Sequence, residues 1–162
     1  MTFINSQQAE LFRRLFEETA CKLAGRAVQV RLRQPFGADA LAETYQDEAG
    51  RVIVDIRPSL PLEKQFDALL HEVAHIKGGH VDLVGPSNYA SLPSASCVPS
   101  RPATKSEEAV MKGLEYEAEG LADKLGAWAS RQVEERNPGQ KDAEGLIINK
   151  LVYLQGYKDG EL

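Results

Sequence analysis

The stretch "LLHEVAHIKGGH", from Leu69 to His80, contains every histidine of the chain. His71 and His75 are four residues apart and Glu72 follows the first of them, so the segment reads His-Glu-x-x-His. On a helix, residues four apart lie one above the other on the same face. Two imidazoles so placed can bind one zinc ion, and the glutamate can remove a proton from an attacking water. The spacing therefore predicts a metal site with Glu72 as general base.

The helix that carries this motif is predicted over residues 62–77, ending at a Gly-Gly pair. At about 100° per residue, its apolar side chains form one stripe: Phe66, Leu69, Leu70, Val73 and Ile76. His71 and His75 fall nearly opposite that stripe, beside Ala68 and Gly78. A solvated surface face is the alternative interpretation of such a pair. Charged neighbours would be expected there, and the small residues favour a metal site instead.

A catalytic zinc ion needs a third protein ligand and an open position for water. His80 is one candidate, but it lies nine residues after His71, one short of the spacing in three-histidine zinc motifs. We therefore expect His80 to be a loop residue or to support the ligands, with direct binding as the alternative.

A second source of ligands is the long helix predicted from Lys105 to Arg136. Its apolar face comprises Val110, Met111, Leu114, Ala118, Leu121, Leu125 and Trp128. Glu115 and Glu119 lie together on one edge of that face, and Glu117 is about 160° away from Glu115. Glu115 can therefore lean over the packed face toward a metal, with Glu119 one turn behind it.

The remaining pattern predicts one α+β domain spanning residues 1–162. A helix is expected over residues 6–24, followed by three strands in "AVQVRLRQ", "ALAETYQ" and "GRVIVDI", and a last helix over about 142–155. We expect a mostly antiparallel sheet of three or more strands, covered by the helices. Residues 85–104 are rich in proline and serine and predict an irregular loop. Its Cys97 is either an ordinary loop cysteine or a thiolate that could close the open position on zinc.

Composition and charge narrow the functional class. The chain has 43% hydrophobic and 27% charged residues, a net charge of −5 and no dense basic patch, which disfavours direct nucleic-acid binding. No apolar run is long enough to span a bilayer, and the N-terminal segment lacks the pattern of a signal peptide. Cys21 and Cys97 predict free thiols. A cytoplasmic protein is expected.

Two segments together resemble the ImmA/IrrE family of small zinc metallopeptidases. The resembling block runs from about Tyr45 to Ala122 and includes "GRVIVDIRPSLPLEKQFDALLHEVAHIKGGH" and "EYEAEGLA". The second segment is similar to the family's Glu-x-Glu-Ala-Asp/Asn-x-Phe-Ala, and the whole arrangement resembles the gluzincin pattern. The resemblance implies a zincin-like fold, one Zn²⁺ per chain, Glu115 as third ligand and Glu119 as a residue that supports the ligands.

The sequence departs from the family pattern at two positions. Glu119 stands where the family has Asp or Asn, and Leu121 stands where it has Phe. Two assignments of the third ligand, called ligand frames here, are therefore open. In the first frame Glu115 is the ligand and Glu119 lies behind it. In the second frame Glu119 is the ligand and Asp123 lies behind it. The position of Ala118 and the apolar edge favour the first frame, with Glu115 as ligand.

The expected reaction is hydrolysis of a peptide bond in a protein substrate. The resemblance implies site-specific cleavage of a helix-turn-helix transcriptional repressor. One alternative is a catalytically silent metal-binding module that sequesters a regulatory partner, and another is an interaction domain without a metal. Four residues are candidates for stabilising the oxyanion: His80, Tyr89, Arg101 and Tyr116.

Overall fold

The computed structural model describes residues 1–81, 92–93 and 105–162. The helices are α1 (Ser6–Ala24), α2 (Leu62–Lys77), α3 (Lys105–Arg136) and α4 (Ala143–Gln155). The strands are β1 (Val28–Leu32), β2 (Ala42–Gln46), β3 (Val52–Ile56) and β4 (Leu92–Pro93). This order confirms the predicted α+β class and the predicted positions of the four helices.

The strands form one sheet in the order β1-β3-β2-β4. β2 and β3 form an antiparallel hairpin. In its turn, the carboxylate of Asp47 accepts hydrogen bonds from the N–H groups of Ala49 and Arg51, and Gly50 adopts a φ of 80°. β1 pairs with β3 in parallel, whereas the other two strand pairings are antiparallel, so the sheet is mixed. Because β3 lies between β1 and β2, it is a central strand, and all five of its residues are buried.

Helix α2 occupies the centre of the fold. It contacts α1, α4, β2 and β3, and it also packs along α3. All five residues of its predicted apolar stripe are buried, between 0% and 4% exposed. The opposite face is buried as well, with His71 8% and His75 1% exposed. The interpretation of the histidine pair as a solvated surface face is therefore wrong, because neighbouring elements enclose α2 on both sides.

Helix α3 supplies the second wall of this central region. Ala118, Leu125 and Trp128 of its predicted apolar face are buried, but Val110 is 59% exposed. A helix of 32 residues is about 48 Å long, roughly twice the length of the 16-residue α2. Because α2 can cover only part of so long a helix, the prediction that Val110 belongs to the buried face is wrong.

The predicted loop over residues 85–104 is described only at Leu92 and Pro93. These two residues form β4, and their register partners are Thr44 and Glu43 of β2. The other residues of that segment, including Tyr89, Cys97 and Arg101, lie outside the described residues. Across the described ranges, the helices are all too short or too polar to cross a membrane.

Candidate metal centre

Three side chains from α2 and α3 converge at one point. The Nε2 atom of His71 lies 3.0 Å from Glu115 Oε2, and the Nε2 atom of His75 lies 3.2 Å from Glu115 Oε1. The two Nε2 atoms are themselves 3.2 Å apart. Helical spacing stacks the two imidazoles, and the packing of α3 against α2 brings Glu115 to both of them. One ligand atom from each residue lies within 4.8 Å of the other two.

The spacing of these atoms fits a single metal ion. Ligand bonds of about 2.0–2.1 Å in a tetrahedral site place the ligand atoms about 3.3–3.4 Å apart. The two histidine Nε2 atoms are 3.2 Å apart, and each lies 3.0 or 3.2 Å from a different oxygen of Glu115. Two imidazole nitrogens and one carboxylate are also a donor set that zinc favours. His71, His75 and Glu115 could therefore hold one metal ion.

The charges within the cluster suit that role. Burial alone would raise the pKa of Glu115, but the adjacent imidazoles of His71 and His75 hold the pKa below its ordinary value, so the carboxylate is ionised at neutral pH. Burial lowers the pKa of His75. Burial also opposes protonation of His71, yet its bond to Glu115 and the nearby carboxylates raise its pKa overall. Because a metal ligand must be a neutral imidazole, protonation of His71 and metal binding would compete.

Glu72 is a buried carboxyl beside this cluster. Its side chain is fully enclosed, and Oε2 accepts a hydrogen bond of 2.5 Å from the hydroxyl of Thr44 on β2. Among the described residues, Oε1 has no hydrogen-bond partner. Burial raises the pKa of Glu72 to about 8, although His71 and the Thr44 bond act in the opposite direction. In the metal-free protein Glu72 therefore keeps its proton at neutral pH and is held in place through one oxygen, with the other oxygen unpaired. A cation bound beside it would favour the ionised carboxylate, which can accept a proton.

We expect Glu72→Gln to stabilise the metal-free protein at alkaline pH. The raised pKa means that Glu72 favours folding below its ordinary pKa of 4.5 and that this stabilisation is lost as pH rises toward 8. Glutamine has no proton to lose. The free energy of unfolding of the variant should therefore exceed that of the native protein at pH 8 by roughly 1–3 kcal/mol. Urea unfolding of both proteins at pH 5 and pH 8 measures this, and an equal difference at the two pH values would contradict it.

Glu119 and Asp123, the ligand and supporting residue of the second frame, are both exposed on α3. They border a cleft that reaches His71, together with Asp67, Leu70, Ala122, Gly126 and Ala127. Glu119 contributes to the raised pKa of His71 through its charge. The structure thus places Glu115 against both histidines and places Glu119 at the rim of the cleft beside one of them.

His80 lies behind the cluster rather than within it. Its Nδ1 atom is 3.0 Å from Nδ1 of His75, and its Nε2 atom is 3.0 Å from Oε2 of Glu117. Both ring nitrogens therefore have partners, which removes His80 from the candidates for oxyanion stabilisation. Tyr116 is 80% exposed, and Tyr89 and Arg101 lie outside the described residues.

Sequence reasoning missed two residues of this region. Thr44 holds Glu72 from a strand far away in the chain, and no local pattern in the sequence indicates that contact. Glu117 reaches His80, although helical periodicity puts Glu117 on a different side of α3 from Glu115. The Gly78-Gly79 pair could have indicated the contact between His80 and Glu117, because it reverses the chain and returns His80 to the end of α2.

Comparisons with protein-family models, with curated proteins and with solved structures found no match to this chain.

Proposed function

We propose that the chain is a zinc-dependent peptidase with a zincin-like fold, similar to the ImmA/IrrE family, that hydrolyses a peptide bond in a protein substrate. The observation that carries this proposal is the convergence of His71, His75 and Glu115 beside the buried carboxyl of Glu72. Zinc is the proposed metal because two imidazoles and one carboxylate leave a fourth position open, as hydrolytic zinc sites do.

Each residue has a distinct part in the proposed reaction. His71, His75 and Glu115 would hold the zinc ion, which would supply Lewis acidity toward the scissile carbonyl. Glu72 accepts a proton from the attacking water through its unpaired Oε1, while Thr44 holds Oε2. The water oxygen bonds to the carbonyl carbon, the C–N bond breaks, and Glu72 passes the proton to the leaving amine. The proposed route for the substrate is the cleft that borders His71.

A silent metal-binding module is the alternative, and Glu72 argues against it. A structural metal site gains nothing from a general base. A fully buried carboxyl with one unpaired oxygen lowers stability at neutral pH, as its raised pKa reflects. Proton transfer during the proposed reaction explains why the chain carries such a destabilising group at this position. We therefore prefer the enzyme, and sequestration of a partner without cleavage remains the competing outcome of the experiment below.

The proposed substrate class is a cytoplasmic helix-turn-helix transcriptional repressor. This proposal rests on the resemblance to the ImmA/IrrE family, and the net charge of −5 is compatible with a basic DNA-binding substrate. We propose no direct nucleic-acid binding and no membrane association for the chain itself.

The test is a cleavage assay on a helix-turn-helix repressor encoded by a neighbouring gene. The zinc-loaded protein should cut the repressor at one site, a chelator should stop the reaction, and added zinc should restore it. His71→Ala is the matched negative control. Stable binding of an intact repressor by the zinc-loaded protein would favour sequestration, and the absence of both binding and cleavage would contradict the proposed substrate.

A further inference from the structure

We propose that His80 and Glu117 form a hydrogen-bonded chain that orients His75 and fixes which of its nitrogens faces the metal. This inference rests on the proposed zinc site and concerns residues that do not touch the metal. It assigns a role to the third histidine of the chain, which the three-residue cluster does not use.

The contacts run in one line from the surface to the cluster. Glu117 Oε2 lies 3.0 Å from His80 Nε2, and His80 Nδ1 lies 3.0 Å from His75 Nδ1. The other nitrogen of His75, Nε2, is the atom that faces His71 and Glu115. His75 and His80 are each 1% exposed, whereas the side chain of Glu117 is 68% exposed. The chain of contacts thus begins at a solvated carboxylate and ends at a buried ligand.

For neutral imidazoles, this line of contacts allows one assignment of protons. An ionised carboxylate only accepts hydrogen bonds, so Nε2 of His80 carries a proton and donates a hydrogen bond to Glu117. A neutral imidazole has one donor and one acceptor, so Nδ1 of His80 is an acceptor. Nδ1 of His75 must then donate, which leaves the lone pair of its Nε2 atom facing the cluster. That is the tautomer a metal ligand requires.

The two glycines before His80 make this arrangement possible. A Cβ atom at Gly78 would lie 2.5 Å from Nε2 of His80 and 3.0 Å from two of its ring carbons. The His80 ring therefore fills the space that any other residue at position 78 would occupy. Gly79 adopts a φ of 74°, which reverses the chain directly after α2. The sequence Gly78-Gly79-His80 thus places an imidazole against the last turn of the helix that carries His75.

The same geometry explains why His80 is not the third ligand. Both of its nitrogens are already paired, one with His75 and one with Glu117. It acts through His75, so it is a positioning residue.

The test compares zinc affinities, measured by competition with a chromophoric chelator. His80→Ala should raise the dissociation constant for zinc by about 10–100-fold, the range typical of residues that orient a metal ligand. His80→Gln should recover most of the affinity, because its amide can accept from His75 and donate to Glu117. Thermal unfolding of the metal-free proteins is measured in parallel, since a purely structural role predicts that affinity follows stability and that glutamine gives no specific rescue.

Glu117→Gln provides a test that does not depend on folding, because this side chain is largely exposed. The expected loss of zinc affinity is about tenfold, at the lower end of the same range. Glu134→Gln, exposed on the same helix, is the matched control and should stay within about twofold. A native protein without zinc overturns the proposed function and this inference together. A native protein that binds zinc, with unchanged affinity in the His80 and Glu117 variants, overturns this inference alone.

Discussion

Replacing Glu72 by glutamine is expected to lower kcat/KM for repressor cleavage by about 10²–10⁴-fold while zinc stays bound. Glutamine has nearly the same shape and can keep the hydrogen bond from Thr44, but it cannot accept a proton from the attacking water. The metal ligands are untouched. Cleavage assays and zinc analysis on the same preparation of the variant measure the two effects together.

The control for this experiment is Glu63→Gln, the same substitution at the start of the same helix. We expect both its cleavage rate and its zinc content to match those of the native protein. Unchanged cleavage by Glu72→Gln would refute the general-base role. Loss of zinc from that variant would instead assign Glu72 to metal binding and would also contradict the proposed general-base role.

The second large effect is expected at Glu115. Glu115→Ala should weaken zinc binding by more than about 100-fold, beyond the range seen for residues that only support a ligand. The reason is that both carboxylate oxygens of Glu115 face the cluster, one toward each histidine. Titration of the metal-free variant with zinc, against a chelator of known affinity, measures the change.

Glu119→Ala and Asp123→Asn separate the two ligand frames. Both side chains are exposed at the rim of the cleft. If Glu115 is the ligand, zinc affinity should fall by no more than about tenfold in either variant. If Glu119→Ala abolished zinc binding and Glu115→Ala did not, Glu119 would be the ligand and the first frame would be wrong.

Much of the fold followed from local patterns. The predicted range of α2 agrees with the observed Leu62–Lys77 because its apolar stripe and the Gly-Gly pair mark the helix and its end. The order of the strands in the sheet could not be predicted in this way, because β1 and β3 are neighbours in the sheet although β2 lies between them in the sequence. Which strand inserts between two others depends on long-range packing, and no short-range pattern records it.

The site shows the same division between local and long-range information. The pairing of His71 with His75 is a property of one helix, so spacing alone predicted it. The approach of Glu115 required the packing of two helices, and the apolar face of α3 supplied enough information to favour it over Glu119. Thr44 and Glu117 reach the site through tertiary contacts that leave no mark on local spacing.

His80 shows how a departure from a ligand motif relates to the structure. Its spacing from His71 is one residue short of a three-histidine motif, and the structure places it against His75 instead of in the cluster. The residue remains buried and doubly hydrogen bonded. The departure from the ligand motif therefore coincides with a position behind the cluster, where the Gly78 and Gly79 backbone makes room for the ring.

The central claim is that His71, His75 and Glu115 hold one catalytic zinc ion. Metal analysis of the purified native protein, after reconstitution with zinc and removal of the excess, tests it most directly. We expect one zinc per chain in the native protein, and almost none in a variant that carries both His71→Ala and His75→Ala. Less than about half an equivalent in the native protein would contradict the claim.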